Sequence, residues 1–220
     1  MKKVAVHPDY AFCSAYIACL PNIFNEEGQT IYKSRNELKV FEHQGLEFVV
    51  KSFKTPHLLN QAVYTTLRAS KAKRSFDYAL MLKDKGVATP SPVAYIEIKK
   101  CGLLFQSFFV SEKSRFHHEI RVLSTSPDWP EAHIIITEFA RFTADLHSKG
   151  VFHKDYSPGN ILFGKIDDHY AFELVDLNRM KFGKVTLQEG CNNLNRLGLN
   201  EELYQLLLRE YIAARGLKSR

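Results

Sequence analysis

The chain has 220 residues, 45% of them hydrophobic and 25% charged, with a formal net charge of +6 and a pI near 9.0. Such a composition is that of an ordinary soluble globular protein and suits one domain, or two small lobes sharing a cleft; no stretch approaches the ~20 apolar residues that a membrane-spanning helix needs. The positive excess fits an anionic partner, whether nucleotide, phosphorylated sugar, nucleic acid or anionic membrane surface, without choosing among them.

Taken in chain order, Lys2 and Lys3 precede AFCSAYIACL, a short apolar run with a faint look of an export leader. Ser14 and Tyr16 dilute it and His7-Pro8-Asp9-Tyr10 interrupt the junction, so export is not expected. Cys13, Cys19, Cys101 and Cys191 form no C-x-x-C pair and no zinc-like spacing with histidine, which reads as free thiols in a reducing cytosol. Residues 29–54 read as three short strands, TIYKS, LKVFEH and, after Gln44-Gly45, LEFVVKSF. A helical pattern follows from about Ala69 to Lys85, with Phe76, Ala79, Leu80 and Leu82 or Lys83 at helical spacing and Gly86 as terminator. The basic run RASKAKR, Arg68 to Arg74, reads first as a solvated face and second as a contact for an anionic membrane or acidic substrate. SPVAYIEIKK and LLFQSFFVSE are two further strands joined through Cys101-Gly102.

After Trp129-Pro130 the pattern turns helical: EAHIIITEFARFTADLHSKG puts Ile135, Phe139, Phe142 and Leu146 on one face, and Gly150 ends it. The strand YAFELVDL and a helical tail complete the chain, the last helix running from about Glu201 to Arg215 with Leu203, Leu206, Leu207 and Tyr211 on one side. A sheet with one helix before Glu112–Arg115, and helices after it, predicts a two-lobed α+β fold. The expected division is a single domain, 1–220, with an N-lobe of about 25–112, a hinge of about 112–116 and a C-lobe of about 117–220.

The chemistry concentrates in VFHKDYSPGNILF, where His153, Asp155 and Asn160 stand in an H-x-D-x-x-x-x-N pattern, followed by Asp176 at the end of FELVDLN. Phosphoryl transfer needs a Lys to hold phosphates, acidic and amide oxygens to hold Mg²⁺, and a carboxylate to accept the proton of the attacking hydroxyl. Lys51 on the third predicted strand, an acid on the next helix, then Asp155, Asn160 and Asp176 supply those groups in that order.

HKDYSPGNILF looks like a eukaryotic-type kinase catalytic loop. With the DLNR ending, the small size and GVATPSPVAYIE, the chain resembles the bacterial lipopolysaccharide kinase (Kdo/WaaP) family from about Thr30 to Asn193, most strongly between His147 and Arg179. The resemblance implies a protein-kinase-like fold and an ATP- and Mg²⁺-dependent kinase that phosphorylates a Kdo or heptose hydroxyl of lipid A-core. Such an enzyme would be cytoplasmic and would meet its glycolipid acceptor at the inner face of the inner membrane, with peripheral contact to anionic lipid; nucleic acid is disfavoured as a partner. It implies Asp155 as catalytic base, Asn160 and Asp176 as Mg²⁺ ligands, Lys51 as the phosphate-holding Lys and Asp77 as its carboxylate partner. In place of a glycine-rich loop, Ser34, Arg35 and Asn36 of KSRNEL would cover the phosphates, and Glu112 would contact the nucleotide at the hinge. No Ala-Pro-Glu segment follows Asp176, which favours a small hydroxyl-bearing acceptor over a protein. His153 reads as a scaffold for the loop, and Arg179 either as an anion-binding group near the acceptor or as a salt-bridge partner. Three other readings stay open: an atypical kinase of aminoglycoside or tRNA-threonylcarbamoylation type, a pseudokinase, and a nucleic-acid-binding protein suggested only by the +6 charge. The acceptor pocket is expected from the tail after Asp176.

Overall fold

Alternation along the strands and helical spacing between them sort the apolar side chains of this protein onto distinct faces. A computed structural model describes residues 1–54 and 69–217, which leaves Arg68 of the basic run outside the described residues. The chain divides into two units, Met1–Met81 with Pro90–Lys113, and Leu82–Thr89 with Ser114–Arg220.

The first unit contains β1 (Lys2–Val6), α1 (Ser14–Ile23), β2 (Gln29–Lys33), β3 (Glu37–His43), β4 (Leu46–Phe53), most of α2 (Lys71–Asp84), β5 (Pro92–Lys100) and β6 (Leu103–Glu112). Its described strands form one antiparallel sheet in the order β1-β5-β6-β4-β3-β2. Phe48 and Val50, two residues apart on β4, are fully buried on one face with Ile96, Phe108 and Val110, and Ile17 and Leu20 of α1 pack there. The sequence reading assigned neither β1 nor α1. Yet Cys13, Ile17, Leu20 and Phe24, spaced at four, three and four residues, are the buried stripe of a helix. The opposite face carries Phe53, Tyr95 and Phe109 beneath Ala72 and Phe76 of α2. Lys51 pairs in register with Phe109, as does Tyr95, so the three share that α2-covered face. The strand expectations over residues 29–54 hold closely. Cys101 and Gly102 join β5 to β6 with φ of 49° and 78°, the left-handed pair that suits the twist of a two-residue hairpin.

One expectation needs correction. The basic run does not form a wholly solvated face: it opens α2, Ala72 and Arg74 are buried, and Lys73 Nζ bonds Asp77 at 2.5 Å.

The second unit contains β7 (His118–Glu119), α3 (Arg121–Thr125), α4 (Ala132–Ser148), β8 (Val151–His153), β9 (Ile161–Ile166), β10 (His169–Leu174), β11 (Met180–Phe182), α5 (Leu187–Leu194) and α6 (Glu201–Leu217). The strands form two small antiparallel sheets, β10-β9-β7 and β11-β8. On α4, Ile135, Ile136, Phe139 and Leu146 are buried, and Leu203, Leu207 and Tyr211 of α6 are buried too. Each such side chain contributes about 1.5–3 kcal/mol on leaving water. Gly150 ends the α4 turn at φ 71°, where a Cβ would strike the carbonyl oxygen of Gly183; that closeness lets the Gly183 amide donate to the Gly150 carbonyl at 2.8 Å. The short strands β8, which follows α4, and β11 thereby run side by side.

Candidate active site

Asp155 follows β8 by two residues, and everything around its backbone is tied down. Its amide donates to Nδ1 of His153 at 3.1 Å, and its carbonyl accepts from the amide of Ser157 at 2.8 Å and from Nδ2 of Asn160 at 2.8 Å. Because Nδ1 of His153 is an acceptor, the ring proton sits on Nε2, which donates to the Val175 carbonyl at 3.1 Å. The Val175 amide donates to the carbonyl of Asn160 at 3.0 Å. Val175 is thus held through both its backbone groups, one to His153 and one to Asn160. This brings the segment ending in Asp176 against the loop that carries Asp155 and Asn160. Burial pulls the His153 pKa below its ordinary value, so the ring is a neutral scaffold with both nitrogens engaged.

The loop is also anchored from below. Tyr156 is fully buried, its hydroxyl 2.8 Å from Oγ1 of Thr143 on α4, and burial raises its pKa far above the usual phenol value. Nδ2 of Asn193 on α5 donates to the His153 carbonyl at 3.2 Å. Asn193 also interacts with the ring of His147, whose Nδ1 lies 2.8 Å from the Tyr211 hydroxyl. Nε2 of His147 and Oδ1 of Asn193 are buried and have no partner at ordinary hydrogen-bond geometry. Burial first, then the charge of Arg215, pulls His147 down to about 4.

The carboxylate of Asp155 is 34% exposed, with Arg179 Nη1 at 3.2 Å from Oδ2 and Arg196 Nη1 at 3.6 Å from Oδ1. Arg179 is therefore a salt-bridge partner of Asp155. Arg196 was not singled out in the sequence; nothing in the spacing ties it to a residue so far upstream. Asp176 takes left-handed backbone, φ 55° and ψ 53°, ahead of the short turn Leu177–Arg179, and its Oδ1 accepts from Nδ2 of Asn178 at 2.5 Å. It makes no side-chain cap of that turn.

The remaining candidates lie in the first unit. Lys51 is half-buried on β4, its Nζ 5.5 Å from the ring centroid of Phe53. Asp77 of α2 holds Lys73, one turn earlier on the same helix, at 2.5 Å. Ser34 and Arg35 are exposed in the β2–β3 turn; the Ser34 amide donates to the Asn36 carbonyl at 3.0 Å, and Oδ1 of Asn36 accepts from the Lys54 amide at 3.4 Å. Glu112 ends β6, its amide donating to the Ser91 carbonyl at 2.9 Å. Burial, then a hydrogen bond from its hydroxyl to the Glu112 side chain, pushes Tyr10 up to about 12.

The oxygen donors fit a hard divalent cation. Asn160 commits its Nδ2 to the Asp155 carbonyl, which leaves its amide oxygen as the atom it could offer a cation, and Asp176 could offer a carboxylate. Among the described residues no three His, Cys, Asp or Glu side chains gather into a metal cluster. A Mg²⁺ site completed by water and phosphate oxygens does not require one.

Compared with known proteins, residues 25–209 match the lipopolysaccharide kinase (Kdo/WaaP) family. No curated protein matches the sequence. Among solved structures the fold is similar to that of WaaP in complex with acyl carrier protein, with a TM-score of 0.65 and 18% identity over 98% of this chain and 91% of that one. It is also similar to WbdD at 2.2 Å resolution, TM-score 0.55 and 14% identity over 87% of this chain, which spans 46% of WbdD. A co-crystal structure of WbdD with the kinase inhibitor LY294002 gives 0.50 and 16% over the same shares. These likenesses establish the kinase-like α+β fold expected from the sequence. The family match covers most of the chain and places it in lipopolysaccharide biosynthesis as an ATP-dependent phosphotransferase: the protein belongs to the lipopolysaccharide kinase (Kdo/WaaP) family.

Proposed function

We propose that the protein transfers the γ-phosphoryl group of ATP to a sugar hydroxyl, Kdo or heptose, of the lipopolysaccharide inner core, with Asp155 accepting the proton of that hydroxyl. The observation that carries this reading is the double tether of Val175 to His153 and Asn160, which gathers Asp155, Asn160 and Asp176 around one short stretch of backbone. With both backbone groups of Asp155 engaged in the loop, its part-exposed side chain, paired with the exposed Arg179 and Arg196, is the part that can turn to a substrate. A carboxylate positioned on the acceptor hydroxyl contributes both orientation and proton removal.

Asn160 and Asp176 are the residues assigned to Mg²⁺. When bound, that ion would neutralise charge on the nucleotide's phosphates. Lys51 is assigned the phosphates and Asp77 the orientation of Lys51, with Ser34, Arg35 and Asn36 over the nucleotide and Glu112 beside it. Two features support these roles: Lys51 stands on the face of the sheet that α2 covers, and Asp77 lies on that helix. The partner this reading requires is a glycolipid, approached at the cytoplasmic face of the inner membrane by a protein in which no described helix is long and apolar enough to cross it.

The test is Asp155→Asn, assayed for phosphate transfer from ATP to Kdo- or heptose-terminated lipid A-core. Loss of a general base is expected to lower kcat by about 10²–10⁴-fold with ATP affinity retained. Wild-type turnover by Asp155→Asn would refute the role of Asp155.

A further inference from the structure

Two guanidinium groups converge on the carboxylate assigned the proton. Arg179 Nη1 lies 3.2 Å from one oxygen of Asp155 and Arg196 Nη1 3.6 Å from the other. They arrive from different elements: Arg179 closes the short turn Leu177–Arg179 after Asp176, and Arg196 sits in the turn Asn195–Leu197 that follows α5. Arg196 is aimed by a second bond, Nη1 to the Lys154 carbonyl at 2.8 Å. One carboxylate facing two guanidinium groups leaves a net positive charge. Both arginines are more than half exposed, 58% and 54%. Exposed ion pairs add little to stability, so the fold does not account for a second arginine on one carboxylate. Arg121 adds no free charge here: it lies across Gly159, where a Cβ would strike its guanidinium, and pairs with Glu119 at 3.3 Å.

For Asp155 to receive a hydroxyl, at least one of its oxygens must be released by an arginine. An anionic group on the incoming acceptor gives the arginines another partner at the moment the hydroxyl arrives. Planar guanidinium groups are suited to this because they bind carboxylate and phosphate oxygens in a paired, directional way.

We infer that Arg179 and Arg196 form a subsite for an anionic group, carboxylate or phosphate, carried by the acceptor beside the reacting hydroxyl, and that this group draws them off Asp155 as the acceptor seats. The inference rests on the sugar-kinase reading and narrows it. Kdo is a sugar acid and brings its own carboxylate, whereas a heptose meets the requirement only through a neighbouring acidic substituent.

The test compares kcat/KM for two pairs of acceptors: Kdo-terminated lipid A and the same acceptor with the Kdo carboxylate converted to carboxamide, and a heptose-terminated core with and without its phosphate. In the wild type the carboxamide is expected to lose about 10–100-fold, as for a charge-assisted hydrogen-bonded pair. In Arg196→Gln the acid acceptor loses a similar factor, and the further change to carboxamide costs about twofold or less, because the partner is already gone. Arg196→Lys should restore part of the loss, and unchanged unfolding midpoints show that the variants fold. A phosphorylated heptose acceptor showing the same non-additivity with Arg196→Gln supports the subsite and assigns phosphate as its anion. Equal use of acid and carboxamide by the wild type, with no such coupling for the phosphate acceptor, overturns the inference alone. So do acid and carboxamide losses that simply multiply in Arg196→Gln. A wild type that binds ATP yet phosphorylates none of these acceptors refutes the sugar-acceptor reading, and the inference with it.

Discussion

The buried ring of His147 makes this protein sensitive to mild acid by an amount that can be worked out. An unfolded His titrates near 6.5; in the folded chain burial, reinforced by Arg215, pulls His147 down to about 4, with the Asn193 side chain and then the charge of Glu189 acting the other way. At pH 7.5 neither state holds the extra proton, so the full stability is present. Below 6.5 the unfolded chain takes up a proton that the folded ring refuses, and stability falls by about 1.4 kcal/mol per pH unit until the folded ring also titrates. From pH 7.5 to 5 the loss is about 2 kcal/mol, rising to about 3 kcal/mol below pH 4. His153, also buried with a lowered pKa, adds a loss of the same sign, so the useful quantity is a difference between variants. Gln at 147 can accept from Tyr211 and donate to Asn193 without titrating. Trp129, the single Trp, belongs to the same unit as His147 and reports its unfolding by fluorescence. Urea unfolding at pH 7.5 and 5 should show wild type losing about 2 kcal/mol more than His147→Gln. Equal losses would refute the assignment of a buried neutral ring.

Two further outcomes follow from the fold and the site. ATP with Mg²⁺ at a hundredfold its Kd should stabilise the wild type by about 2.7 kcal/mol; Asp176→Ala should abolish the Mg²⁺-dependent part in a thermal-shift assay, and an undiminished shift would remove Asp176 from the metal site. Leu20→Ala on α1 should cost about 2–5 kcal/mol in urea unfolding, because Leu20 is fully buried against the first unit's sheet; a cost under about 0.5 kcal/mol, as at a surface position, would mean that α1 is not part of that core.

What could be read in advance depended on how far apart in the chain the interacting groups lie. The loop His153–Asn160 was legible because its polar residues act on their own neighbours: the Asp155 amide reaches His153 two residues back, and Asn160 reaches the Asp155 carbonyl five residues back. Lys51 could be picked out because VVKSF places one charge within an alternating apolar strand. β1 stayed hidden because KKVAV is an edge strand with lysines at its exposed end, the usual guard against edge pairing, and its alternation is weak. β7, β8 and β11 have two or three residues each, too few for any period to show. In α1 the buried stripe was masked by Ser14, Tyr16 and Pro21, which dilute the run without interrupting the helix.

The groups gathered around Asp155 divide along the same line, and the division follows their chemistry. Proton acceptance and cation binding need small groups at fixed separations, and a tight loop sets those separations through its own backbone bonds; hence a spacing of residue types betrays them. Holding an acceptor needs side chains that approach from outside the loop, and these come from wherever the fold delivers them. Arg196 reaches Asp155 from a turn held beside the loop by two bonds, Asn193 on the preceding helix to the His153 carbonyl and Arg196 itself to the Lys154 carbonyl. Asn193 in turn interacts with a His147 ring that Tyr211 engages from α6. An arginine whose meaning depends on three other elements leaves no mark in its own sequence neighbourhood. For that reason the anion subsite proposed at Arg196 could be found only in the geometry of α5 and the turn that follows it.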